Sequence, residues 1–357
     1  MRQPRVMNLR TTLASVIALS LVAGNARAQE ARWNELTAQA TRLYGEGKYA
    51  DAAKTAKEAL AVAEKTFGSN HRAVAVSLSN LAEFYRAQGR LAEAEPLLQR
   101  AIQIETTVLG ADHPDLATDF NNLALLYVSQ GKPREAEDYY RRAFGIDENA
   151  LGKEHPDVAT DLQNLAQLLK SESRFTEAEP LLQRVIAIRE KKSSAGDLAL
   201  AASLKSLADV YLAQGAHEKA EPLLEHALAI HRKALNRTDP RLGRSYSELG
   251  LVYFLRAKYQ QAEPLLRQAL SIDESALGKE HPTVATDLNN LAEACRMLGR
   301  YTAAEQYYRR ALLIDSKVLG PEDLGVATDL NNLAVLYFDQ GNYNDAELLF
   351  RRSLSIR

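Results

Sequence analysis

The sequence predicts an all-α fold, a stack of about eight helix–turn–helix units. Three observations predict it. The first is a period of 42 residues, which separates Asn80, Asn122 and Asn164 and again Asn290 and Asn332; such a period marks a repeat architecture. The second is apolar spacing: Phe120, Leu123, Ala124 and Tyr127 fall at i, i+3, i+4 and i+7, one face of a helix. The third is punctuation. Gly131 in "QGK" and Gly152 in "ALGK" follow the periodic runs, where a left-handed turn ends a helix.

Taken in chain order, the first 28 residues stand apart. "MRQPRVMNLR" carries three Arg and no acid, "TTLASVIALSLVAG" is a short apolar run, and Ala26 and Ala28 close a small-x-small pattern. Basic, apolar and small-residue regions in that order are expected to be a signal peptide, cleaved before Gln29. Its apolar run is too short for a comfortable membrane span, and no stable membrane insertion is expected after cleavage. The protein is therefore expected to be exported, periplasmic or secreted if bacterial. Lys+Arg then falls from 44 to 40 against 46 Asp+Glu, leaving about −6. No Lys/Arg block points to nucleic acid. The single cysteine, Cys295, excludes an intrachain disulfide and a Cys-based metal site. It reads as a small buried apolar residue.

Residues 29–357 form the repeat array, with copies near 31–69, 70–111, 112–153, 154–195, 196–237, 238–279, 280–321 and 322–357. The copy at 113–151 is the type. Pro114 opens its first helix, where a missing N–H is tolerated. A second helix follows from about Arg134, with Ala136, Tyr140 and Ala143 spaced by four and three. The small residues Ala124, Ala136 and Ala143 let the two helices approach closely. One hairpin cannot bury its apolar face alone, but a stack can. Pro96, Pro180, Pro222 and Pro264 fall early in second helices and are expected to bend or loosen those starts.

The spacing of Leu123, Ala124, Tyr127, Gly131, Ala136, Tyr140 and Ala143 resembles the tetratricopeptide repeat. The 42-residue length with "LNNLA", "EAEPLL" and "LGKEHP" is similar to the kinesin light chain subtype. The chain differs from kinesin light chain in having a signal peptide and no long heptad region, so a motor role is not implied. The resemblance implies a right-handed solenoid whose first helices line a concave groove for peptide segments. It also implies that the second Asn of "NN" clamps peptide backbone.

On a wheel at about 100° per residue, Thr118, Asn122, Leu125 and Ser129 lie opposite the core face. An Asn amide both donates and accepts, so a row of them suits an extended backbone of any sequence. The candidate groove is Asn80, Asn122, Asn164, Asn290 and Asn332 with Thr118, Thr160, Thr286, Thr328, Leu125 and Gln167. Phe254 and Phe338 supply apolar pockets beside Val128 and Leu212, while Glu83, Glu293 and Asp339 supply charge. The alternative is that these Asn brace neighbouring repeats; for the first Asn of each pair (Asn121, Asn289, Asn331) a bracing role is expected. In the middle copies the position holds Ser206 and Glu248.

Nothing suggests catalysis or a cofactor: there is no Gly-rich phosphate loop, G-x-S-x-G or HExxH. His71, His113, His155 and His281 recur one repeat apart. Helix layers pack on the order of 10 Å apart, too far for a shared metal, so helix capping is their expected role. The expected function is a non-catalytic scaffold binding a protein or peptide partner. Two alternatives remain. The chain ends at "RRSLSIR" without a polar capping helix, so Leu349, Leu354 and Ile356 are open to pairing with a second copy; a lost C-terminal effector region is the other.

Overall fold

A computed structural model describes residues 9–192 and 196–357, with side chains described from residue 27 onward. The proposed leader therefore lies largely outside the described side chains. Among the described residues there are sixteen helices and no strands. No helix among them is long and apolar enough to cross a membrane. They divide into two compact units, one up to Leu168 and one from Leu169.

The first unit holds α1 (Leu9–Gly45), α2 (Tyr49–Phe67), α3 (Arg72–Ala87), α4 (Leu91–Leu109), α5 (Asp115–Ser129), α6 (Pro133–Leu151) and most of α7 (Pro156–Ser171). The second holds the end of α7, then α8 (Phe175–Lys192), α9 (Leu198–Ala213), α10 (His217–Ala234), α11 (Pro240–Leu255), α12 (Tyr259–Leu277), α13 (Pro282–Met297), α14 (Tyr301–Val318), α15 (Leu324–Asp339) and α16 (Tyr343–Ile356). In the first unit α1 and α2, α3 and α4, and α5 and α6 pair as hairpins, and in the second α9 and α10, α11 and α12, α13 and α14, and α15 and α16; within each unit each hairpin packs on the next. Successive first helices also touch directly, as α3 does α5 and α13 does α15.

The periodic apolar positions build the cores. Phe120, Leu123, Ala124 and Tyr127 of α5 are buried, as are Ala136, Tyr140 and Ala143 of α6. Around α13 and α14 the core gathers Leu288, Leu291, Ala292, Cys295 and Tyr308. Each buried Leu contributes roughly 1.5–3 kcal/mol through removal from water. Cys295 is buried, as its apolar neighbours require.

Helix ends follow the local chemistry. The Nδ1 atoms of His71, His113, His155 and His281 accept from the backbone N–H two residues on, at 3.1–3.3 Å. These rings therefore cap helix starts. Gly131 takes a φ of 71°, the left-handed turn that joins α5 to α6. The expected loosening at the prolines is not seen. Helices α4, α8, α10 and α12 run unbroken through Pro96, Pro180, Pro222 and Pro264. A proline forfeits one backbone bond, and packing of the rest of the helix holds the turn.

Candidate functional site

The first helices carry two adjacent amide positions whose fates differ. Turning about 100° per residue separates the first Asn, which meets the next repeat, from the second. Asn121 Nδ2 donates to Asp161 Oδ1 at 2.6 Å, and Asn289 Nδ2 to Asp329 Oδ1 at 2.6 Å. Ser79 Oγ fills the same role toward Asp119 Oδ1, at 2.7 Å. These are inter-repeat braces, as the position of the first Asn suggested.

The second Asn behaves otherwise. Asn80, Asn122, Asn164, Asn290 and Asn332 are all half-buried, neither sealed in the stack nor fully exposed. Among the described residues, none of their side-chain amides bonds another residue. In the first unit Asn80, Thr118 and Asn122 line one cavity of about 240 Å³, with Glu105 and Asp119 among its other lining residues. Thr118, Thr160, Thr286 and Thr328 are exposed, and the last three turn their hydroxyls back to their own helix carbonyls. Gln167 is exposed, and Leu125 is 37% exposed.

The aromatic positions split. Phe254 is half-buried, packed against the core around α13 and tilted against Tyr259 with centroids 5.2 Å apart. Phe338 is 56% exposed and sits 5.3 Å from Tyr343. With Tyr343, Phe350 and Leu354 it lines a cavity of about 520 Å³ on the last hairpin.

The charges are committed within the protein. Glu83 accepts from Arg86 and from Tyr44 Oη at 2.6 Å. Glu293 accepts from Arg296 and from the buried Tyr308 Oη at 2.5 Å, and Asp339 pairs with the same Arg296. In the middle copies Lys205 bridges Asp209 at 3.0 Å and Glu248 at 3.1 Å, and Lys170 reaches Asp209 at 2.9 Å. Burial raises the Glu248 carboxyl, against the pull of Lys205.

A second set of side chains escaped sequence reasoning: the buried acids Asp119, Asp161, Asp287 and Asp329. Burial pushes the first two and Asp329 up to about 7 and Asp287 to about 8. Their signal was available, since Asp precedes the core residue by one position in every "TDF" or "TDL".

Stacked α-hairpins repeating every 42 residues define the class: a helical repeat protein. A family model described as tetratricopeptide repeat matches residues 36–104, 74–149, 197–275, 248–312 and 283–357, and a second of the same description matches 158–196. The chain belongs to the tetratricopeptide repeat family, whose fold is a protein–protein interaction scaffold and is typically non-catalytic. It is similar to the nearly identical TPR-like repeats of a protein assigned as kinesin light chain from Podosopora anserina. That likeness has 29% identity and a TM-score of 0.52, and covers 58% of this chain and 98% of the other. BtubC (BKLC) from P. vanneervenii shares 23% identity at a TM-score of 0.54, over 69% of this chain and 92% of its own. The STAND protein PH0952 from Pyrococcus horikoshii shares 15% at a TM-score of 0.66, over 92% of this chain and 47% of its own. Those two likenesses are of fold alone. No curated protein matches the chain.

Proposed function

We propose that this protein is a non-catalytic scaffold of the kinesin light chain-like subtype, which holds an extended segment of a protein partner along its first helices. The observation that carries the reading is the half-buried amides, Asn80, Asn122 and Asn164 in the first unit and Asn290 and Asn332 in the second, with no bond to another residue among the described residues. A polar group left accessible and unspent has its full hydrogen-bonding capacity for a ligand. The neighbouring Asn, by contrast, is consumed in bracing. The test is capture of partner from the cell envelope by crosslinking, with Asn122, Asn164, Asn290 and Asn332 changed to Ala. Loss of capture at unchanged stability supports the reading, and undiminished capture refutes it. Export belongs to the proposal: N-terminal sequencing of the native protein should begin at Gln29, and a start at Met1 removes that part.

A second reading, self-association, is favoured by one feature. The last hairpin leaves Phe338, Tyr343 and Leu354 exposed around one apolar cavity, Leu354 by 75%. Leu349, expected on the same face, instead packs against the core around α13. Exposed apolar surface of this kind marks an association site. Light scattering decides it: a monomer at high concentration rejects pairing through α16.

A further inference from the structure

Beside the accessible amides runs a second ladder, made of acids. Asp119, Asp161, Asp287 and Asp329 are only 1–5% exposed. Each lies within hydrogen-bonding reach of a second carboxyl on the preceding second helix: Glu105, Asp147, Asp273 and Asp315 respectively. Glu105, Asp147 and Asp273 are themselves buried. One oxygen of Asp119, Asp161 and Asp329 is occupied by Ser79, Asn121 or Asn289. The Oδ2 atoms of Asp119, Asp161, Asp287 and Asp329 receive no hydrogen from the protein, and neither do the Oδ1 atoms of Asp147, Asp273 and Asp315. Two ionised carboxylates facing each other at buried positions repel and leave these oxygens without a protein donor.

The intervening repeats show what the pair requires. There the same two positions hold Arg189 with Ser203 and His231 with Ser245. The Arg189 guanidinium donates to Ser203 Oγ, and His231 Nδ1 lies 2.6 Å from Ser245 Oγ. Where the pair is not acid on acid, the protein supplies the donor. Where it is, the donor must come from outside.

We propose that each acid pair holds one shared proton as part of the folded structure, so that the stack tightens in mildly acidic solution and loosens in alkaline solution. One O–H on either acid donates to the facing oxygen and satisfies both orphans. A bound calcium ion would need six to eight oxygen ligands, more than two carboxyls offer when one oxygen is already bonded. The surrounding charges do not replace the proton. Arg72, Asp115 and His113 face the first pair, and Arg72 is spent on Asp115. Asp157 and His155 face the second, Arg244 and His281 the third, and Asp323 the fourth. His113, His155 and His281 use Nδ1 for capping.

The direction follows from burial, which raises all eight carboxyls above their ordinary values. The folded chain holds protons that the unfolded chain, with carboxyls near 4, releases. The ladder's contribution is therefore complete below about pH 4 and is lost as pH rises through about 7–8. Within that window each shared proton changes the folding equilibrium about tenfold per pH unit.

The experiment compares the full chain with the variant carrying Asp119→Asn, Asp161→Asn, Asp287→Asn and Asp329→Asn, by urea unfolding between about pH 5 and pH 9. An Asn amide donates to the remaining carboxylate as the shared proton does. The native protein should lose stability as pH rises, and the variant should lose about tenfold less per pH unit for each pair. Parallel curves overturn the proposal. Should the fourfold variant not fold, Asp161→Asn and Asp147→Asn are measured singly by hydrogen exchange in α5 and α6. Each should flatten the pH dependence, and an unchanged dependence in both overturns it. Stabilisation of the native protein near neutral pH by added calcium, absent in the variants, also overturns it, because the occupant would then be a metal ion.

Discussion

Asn121 and Asn122 are chemically identical neighbours, yet their replacement by Ala should change stability in opposite directions. Asn121 Nδ2 makes a 2.6 Å bond to Asp161, which is 1% exposed. Removing it takes the amide donor from a buried acid, at a cost of about 1.5–3 kcal/mol. Alanine's better helix propensity returns at most about 0.7 kcal/mol, so the net loss is roughly 1–2.5 kcal/mol. Asn122 loses no bond to the protein, so only the propensity gain remains, and the change should be neutral to about 0.7 kcal/mol stabilising. The assay is hydrogen exchange in α5 and α6 alongside urea unfolding, because repeat arrays open locally as well as globally. Equal losses at both positions, or a loss above about 1 kcal/mol at Asn122, would refute the division into brace and free amide.

Two further outcomes concern helix ends. Ala257 takes a φ of 56° at the turn where Gly131 takes 71°, and both turns make the same pair of backbone bonds. A left-handed Ala costs about 1–2 kcal/mol, and the looser unfolded chain of a Gly variant takes back part of that; Ala257→Gly should raise the melting temperature by an equivalent of about 0.5–1 kcal/mol. Asp197 accepts from the N–H groups of Ala199 at 2.9 Å and Leu200 at 3.2 Å. Asp197→Ala should therefore destabilise α9 by about 1 kcal/mol, read as faster exchange at its first turn.

The helices were legible because their determinants are local. Apolar spacing, Ala at the close contacts and Gly at the turns all sit within one 42-residue copy, and Phe120, Leu123 and Tyr127 are buried as that spacing requires. The bracing of Asn121 was also within reach, since its place on the wheel turns it toward the neighbouring helix. The buried acids were not. Asp161 reads as a solvated helix charge until the hairpin before it is in place, because its partners Asn121 and Asp147 are 40 and 14 residues away. The pairing of the charges assigned to the groove has a simpler, local reason. Glu83 and Glu293 each have an Arg three residues on, and an i, i+3 pair on a helix meets.

That commitment of charge bears on how a partner would be held. On the proposed mode the first unit offers three free amides, Asn80, Asn122 and Asn164. Each hydrogen bond nets about 0.5–1.5 kcal/mol, so with one bond apiece the three amides contribute about 1.5–4.5 kcal/mol. Association costs at least about 4 kcal/mol in lost freedom, and more where a flexible segment is ordered. The amides alone thus roughly cancel the cost and can align a backbone without retaining it. The charges are already spent on Arg86 and Arg296. Beside the row Leu125 and Val128 are each more than a third exposed, and burying such a side chain contributes about 1.5–3 kcal/mol. Affinity must then come from apolar side chains of the partner spaced to meet these positions. A charged, strongly polar segment should bind no better than a scrambled one.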